Sequence, residues 1–468
     1  MARRRRRKIY KTTEQVQTPP APTTMRIERL AHGGYGVGHV DGMAVFVPRT
    51  APGDRIEVQL VDQRRRYAFG EMVSLLEASP WRVPPPCPLF ERCGGCHLQH
   101  LPYSRQLDLK TAQVRDSLTR IGKLPDVPVS PTLGSPVPFA YRNKVVYHYD
   151  ADSGALGMVE RGGQRILDIP NCLITDPRAN AVLERIRMVA ASQPALQQTL
   201  KHVQVQVGQH TGEVLVTVIV GVALTAPVQQ ALWSDIADVA TGLWMHVKTH
   251  DSPAVFNGPS TVIAGAEAIY ERIGEQRFRV EPQAFMQVNS AQMERLYAQA
   301  RQRAQLQSHD VVLDLYSGGG TIALSLAPYC ASVYAVEINR QASLMGMEQA
   351  RLLGIENCHF RTGKVERILF RYLAEGLRAD LAILDPPRAG CQPEVLNALA
   401  RLRVPRIVYI SCSPPTLARD LRLLHDLGYR TISVEPLDMF PQTYHIECLA
   451  TLTLAARSQG AALSQLAH

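Results

Sequence analysis

Residues 25–78 carry short runs of alternating apolar and polar positions, each broken by Gly, Asp or Pro: MRIERL, YGVGHV, MAVFVP, DRIEVQLVD and RYAFGEMVSLLE. A period of two marks half-buried strands. Five such runs in so short a stretch predict a small β-barrel of the oligonucleotide-binding kind. From about residue 276 the pattern changes. VVLDLY is followed by IALSLA, SVYAVEI by a helical stretch to Leu353, and LAILDPP and RIVYISCS each by a further helix. This alternation predicts βαβ units and a doubly wound parallel sheet. Between the two regions lies a mixed α+β stretch, with a hairpin expected in HVQVQVGQHTGEVLVTVIVG. The expectation is a multidomain α/β protein: a basic arm over 1–24, a barrel over 25–78, a central α+β domain over 79–275, a sheet domain over 276–455 and a tail over 456–468.

Composition adds little to this picture except through charge. The 468 residues are 46% hydrophobic and 20% charged, which suits a globular chain of about three domains. No run approaches the roughly 20 apolar residues of a membrane span. The N-terminal MARRRRRKIYK has no apolar stretch behind it, so a secretory signal is not expected. A cytoplasmic protein, acting as a monomer without a membrane partner, is the expectation. Net charge is +9, and Arg3 to Arg7 with Lys8 place six positive charges in one run. Such an excess favours a polyanionic partner through phosphate neutralisation, although a run of this kind is also what a solvated tail looks like. The turn Arg64-Arg65-Arg66-Tyr67 sets a second basic cluster beside an aromatic ring, consistent with RNA contact.

The strand Val311–Leu315 ends in Tyr316-Ser317-Gly318-Gly319-Gly320-Thr321 and leads into a helix. Glycines there let a ligand approach the backbone at the carboxyl edge of the sheet. The spacing is neither GxGxxG nor a phosphate loop. The next strand ends in Glu337, where a carboxylate can accept from both ribose hydroxyls of a nucleoside cofactor, and a later one ends in Asp385-Pro386-Pro387. Each signal alone fits an ordinary strand–turn–helix. Together they resemble the seven-stranded S-adenosylmethionine methyltransferases.

Cys412 stands in YISCSP, where a strand gives way to a helix. A thiol at a helix N-terminus is expected to have its thiolate favoured by the dipole. A buried cysteine with no role is the commoner case, and Cys330, Cys358, Cys391 and Cys448 fit it. Uracil C5 is a poor nucleophile until a thiolate adds to C6 and makes the ring an enolate. A base must afterwards take the C5 proton so that the thiolate can leave. SCSPPTLARDL, DPPRAG, FMQVN (285–289) and FPQTYHIE (440–447) resemble the RNA uridine-5-methyltransferases of large-subunit ribosomal RNA or the tRNA T-loop. The resemblance spans residues 25–455, with the barrel similar to a TRAM domain. It implies Cys412 as nucleophile and Glu447 as base. It also implies Gln287 and Asp385 at the cofactor and uracil pockets, Phe285 against the flipped base, and Tyr316, Thr321 and Glu337 as cofactor contacts. The chain departs from the family pattern at Ser317, usually Cys, at Thr321, often Asn, near Lys364, and in DPPRAG for the commoner DPARAG.

Nine cysteines, an odd number, point away from disulfides. Cys87, Cys93 and Cys96 lie close together on a Pro- and Gly-rich segment, with Cys172 far downstream. Four thiolates suit zinc and an iron–sulfur cluster equally. The family resemblance implies a 4Fe-4S cluster, structural or RNA-positioning. The partner implied is structured RNA, ribosomal or transfer, with large-subunit ribosomal RNA favoured. Two other readings compete. An RNA cytosine-5 methyltransferase would carry a second Cys where Arg388 stands. A non-catalytic RNA-binding iron–sulfur protein would leave Cys412, Glu447, Gln287 and Asp385 without a purpose.

Overall fold

The computed structural model describes residues 21–250 and 252–455. The basic run 3–8 and the tail 456–468 lie outside them. The chain divides into two compact units, Met1–Arg82 and Val83–His468.

The first unit is a six-stranded sheet in the order Thr23–Arg26, Arg55–Gln63, Tyr67–Glu77, Met43–Pro48, Tyr35–Val40, Arg29–Leu30. Met25, Ile27, Val45, Val47, Ile56, Val58 and Ala68 form its core. The run MRIERL is two strands rather than the single one expected. The first pairs with Arg55–Gln63 and the second with Tyr35–Val40, so the ladder changes partner at Ile27 and Glu28. Packing is close enough that a Cβ at Gly38 would stand 2.1 Å from the Arg26 carbonyl oxygen. The buried Asp54 carboxylate accepts from Ala51, Ser79 and Arg82 and ties the end of the unit to its sheet.

The second unit holds two seven-stranded sheets. The central one runs Ser260–Gly265, Gly242–Val247, Val214–Val220, Leu200–Val207, Lys144–Tyr149, Leu156–Val159, Ile166–Asp168. Its Leu200–Val207 and Val214–Val220 are the antiparallel hairpin that alternation predicted. The helices Pro177–Ser192 and Ala226–Ile236 supply Val182, Leu183, Ile186 and Leu232 to its core. A separate hairpin, Ile269–Ile273 with Gln276–Val280, precedes the helix Ser290–Ala304.

The C-terminal sheet has the order Cys358–Thr362, Ser332–Glu337, Val311–Leu315, Leu381–Leu384, Arg406–Ser411, Glu447–Leu454, Tyr429–Leu437. Glu447–Leu454 runs antiparallel to both its neighbours, and the pairs among the first five strands are parallel. Strand order reverses between Val311–Leu315 and Leu381–Leu384, so a crevice opens at their carboxyl ends. Leu381–Leu384 is buried at every position, as a continuous apolar run in a doubly covered sheet should be. Residues from earlier in the chain join this core: Val114, Leu118 and Leu124 pack beside Leu396, Leu417 and Leu421, and Val129 and Leu133 bridge to Val434 and Leu437. The helix Tyr103–Ser117 also buries Lys110 against Asp438. Removing one partner of a buried ion pair costs on the order of 3–5 kcal/mol. No helix among the described residues is long and apolar enough to cross a membrane.

Candidate active site

A cavity of about 780 Å³ opens at the carboxyl edge of the C-terminal sheet. Strand ends and the loops after them supply its floor: Tyr316 to Gly319 after Val311–Leu315, Asp385 to Arg388 after Leu381–Leu384, and Cys412 after Arg406–Ser411. Glu447 joins them because its strand runs the other way, so its first residue lies at the edge where the parallel strands finish. Phe285 and Gln287 enter from the segment before Ser290–Ala304, and Cys87, Cys93, Cys96 and Cys172 line the far wall. The cavity thus gathers every catalytic, cofactor, uracil and cysteine-ligand residue expected from the sequence except Glu337. The Glu337 carboxylate sits beneath the glycine loop, accepting from the N–H of Gly318 at 2.9 Å and of Asn339 at 2.6 Å.

The glycine loop fits a nucleoside ligand. Tyr316 is held at φ 67°, a left-handed conformation uncommon outside glycine and frequent at functional sites. A Cβ at Gly318 or Gly319 would meet no atom within 4 Å, so this backbone faces open space. The buried Ser317 hydroxyl beside them has no hydrogen-bond partner among the described residues. Thr321 opens the following helix and shares a 3.0 Å hydrogen bond with the Tyr297 hydroxyl. Phe285, a large flat ring, is 73% exposed, while Gln287 is buried.

The register Ser411↔Cys448 and Leu437↔Glu447 brings Glu447 next to Cys412. Burial pushes the Cys412 thiol up to about 11; the Glu447 and Asp385 carboxyls add to the rise and Arg388 opposes it. The expected dipole stabilisation of this thiolate does not prevail. Burial outweighs it, and the first two helical positions are Pro414 and Pro415, which have no N–H to offer. Burial also raises the Glu447 carboxyl well above its ordinary range, with Asp385 reinforcing and Arg388 opposing. Asp385 is pushed up to about 7 by desolvation, as is Asp314 beneath it, where Asp385 adds to the burial. Among the described residues Arg388 is the cation that acts on both Cys412 and Glu447. Its guanidinium donates to His445 Nδ1 at 2.7 Å, and His445 also lines the cavity. Neither residue was assigned a role from sequence; an Arg directly after Asp-Pro-Pro at a strand end was the available signal.

The four cysteines lie near enough to one another that Cys172 raises the thiols of Cys87, Cys93 and Cys96, behind burial as the main cause. Cys96 is pushed up to about 12. Among the described residues no three or more His, Cys, Asp or Glu side chains are drawn into a geometry that would hold a metal ion.

The sequence profile of the tRNA (uracil-5-)-methyltransferase family matches residues 103–455, and that of the TRAM domain matches residues 24–73. An uncharacterized RNA methyltransferase of Halalkalibacterium halodurans is 39% identical over 441 residues, covering 92% of this chain and 96% of its own length. An uncharacterized RNA methyltransferase of Caldanaerobacter subterraneus is 37% identical over 437 residues, covering 91% of this chain and 96% of its own. Among solved structures, the fold is similar to Pyrococcus abyssi tRNA (uracil-54, C5)-methyltransferase in complex with S-adenosyl-L-homocysteine. The TM-score is 0.73 at 26% identity, over 92% of this chain and 100% of that one.

Proposed function

From the premise that this chain belongs to the tRNA (uracil-5-)-methyltransferase family, we propose that it methylates C5 of a uridine in structured RNA through a covalent Cys412–C6 adduct. The family uses S-adenosylmethionine, which supplies the electrophilic methyl group. The observation that carries the reading is the placement of Cys412 opposite Glu447 in one cavity with Asp385 and the glycine loop. In this account the Cys412 thiolate bonds to C6, and the ring π electrons move toward O4. C5 would then bond to the methyl carbon as that carbon's bond to the cofactor's sulfonium sulfur breaks, the electron pair staying on sulfur. Ionised Glu447 removes the C5 proton, the C5–C6 double bond reforms, and the Sγ–C6 bond breaks to return the thiolate. Desolvation that raises Glu447 makes its carboxylate the stronger base. Arg388, beside both groups, favours their ionised forms. Phe285 would stack on the extruded base and Gln287 would line its pocket. Tyr316, Thr321, Glu337 and Asp385 would hold the cofactor.

Large-subunit ribosomal RNA is the proposed target, and the cytoplasm the proposed compartment, with the enzyme acting as a monomer. A tRNA T-loop uridine is the second reading, favoured by the likeness to the Pyrococcus abyssi enzyme. The donor chemistry of Cys87, Cys93, Cys96 and Cys172, four mutually interacting thiols, suits a 4Fe-4S cluster with a structural role. Incubation with labelled S-adenosylmethionine and total RNA from a deletion strain, followed by nucleoside identification, tests the reading. Label in 5-methyluridine supports it; label in 5-methylcytidine or in no nucleoside contradicts it.

A further inference from the structure

The helix Tyr103–Ser117 buries a polar stripe. Gln106, Lys110, Gln113 and Ser117 are all buried and recur at the spacing of one helix face. Such a stripe needs matched partners. Lys110 finds its partners on one segment, residues 438–442, at the start of the connection that leads to Glu447, and Gln106 bonds to the same segment as well as to the Leu98 and Leu101 carbonyls. Lys110 and Asp438 are both 0% exposed and 2.5 Å apart. The same ammonium donates to the Phe440 carbonyl at 3.2 Å. Gln106 donates to Gln442 Oε1 at 2.9 Å and accepts from the Gln442 N–H at 3.2 Å. Gln442 is held at φ 67°, which a side-chain-bearing residue adopts under constraint.

What this segment carries explains why its placement matters. Phe440 lines the cavity, and its ring lies 5.7 Å from that of His445, the acceptor of the Arg388 guanidinium. An apolar pair of similar volume is often as stable as a buried ion pair, so stability alone does not call for Lys110 here. The ion pair adds direction, because it fixes where one carboxylate and one carbonyl must lie.

We propose that Lys110 is a positioning residue that sets the 438–446 connection, and through it the base Glu447 and the Arg388–His445 pair. The inference rests on the proposed roles of Cys412 and Glu447. Lys110→Met alone would leave Asp438 charged and buried without its cation, so the informative variant is Lys110→Met with Asp438→Leu. With tritiated S-adenosylmethionine and total RNA from a deletion strain, kcat should fall about 100-fold, the scale of a small misplacement at a reacting group. KM for RNA and S-adenosylhomocysteine affinity should hold, and a denaturation-resistant protein–RNA complex should accumulate. Wild-type kcat in a folded double variant would overturn the inference. So would a joint fall of kcat, RNA affinity and S-adenosylhomocysteine affinity in step with the thermal midpoint. Glu447→Gln run in parallel separates the two readings. If it turns over like wild type, the base assignment fails and takes this inference with it. If it traps the complex while the double variant turns over normally, only the role of Lys110 fails.

Discussion

Cys412 stands one register step beyond the Ser411–Cys448 pair, directly across from Glu447 at the carboxyl edge of the C-terminal sheet. The antiparallel direction of Glu447–Leu454 creates this relationship. A parallel last strand would begin at the opposite edge. Two acids and a thiol share a buried pocket there, and among the described residues Arg388 is the cation that offsets both Cys412 and Glu447.

Arg388→Met should therefore raise the Cys412 thiol further and slow its alkylation. Iodoacetamide labelling at fixed pH, mapped to Cys412 by peptide mass spectrometry, measures this. Labelling as fast as in wild type would remove Arg388 from the electrostatics of the nucleophile.

Asp385 gives a pH signature. Its carboxyl rises from 3.8 to about 7 in the folded protein, so folding favours the protonated form. The stabilisation is fully present below its ordinary value and is lost as pH rises through about 7. Asp385→Asn, which cannot ionise, should flatten the fall in thermal midpoint across that window. An unchanged slope would mean that Asp385 titrates normally in the folded chain.

In the first unit, Arg64, Arg65 and Arg66 adjoin Tyr67, whose ring meets Phe46 and Phe69 edge-on. Changing the three arginines to Gln should weaken RNA binding and reduce the slope of log K against log salt by about 2, if each meets a phosphate. An unchanged slope would place RNA contact elsewhere.

The cysteine wall makes a compositional prediction. Anaerobically purified protein should be brown with about four irons per chain, and Cys93→Ser or Cys172→Ser should lose the colour. One zinc and no iron would replace the cluster with a zinc site and leave the methyl-transfer chemistry untouched.

Much of the C-terminal sheet was legible because its strands are buried apolar runs that stop at Gly, Asp or Cys. The helix expected to reach Leu353 does end there, followed by Gly354 at φ 65°. What eluded the sequence depended on distant partners. MRIERL has the alternation of one strand, and only its two different neighbours split it. At Cys412 the depth of the pocket and the prolines that open the helix outweigh the dipole, and that depth does not show in the local pattern. Lys110 reads as a solvated charge on a helix, yet its partner Asp438 lies 328 residues on. Arg388 and His445, 57 residues apart, meet only when the final strand turns back.

The most direct test of the central claim is the fate of the Glu447→Gln enzyme mixed with RNA and labelled S-adenosylmethionine. Attack by Cys412 and methyl transfer should proceed, while removal of the C5 proton stalls. The account predicts a methyl-labelled protein–RNA band that survives denaturation and is absent in the Glu447→Gln, Cys412→Ala double variant. Free methylated RNA released at the wild-type rate, with no such band, would contradict it.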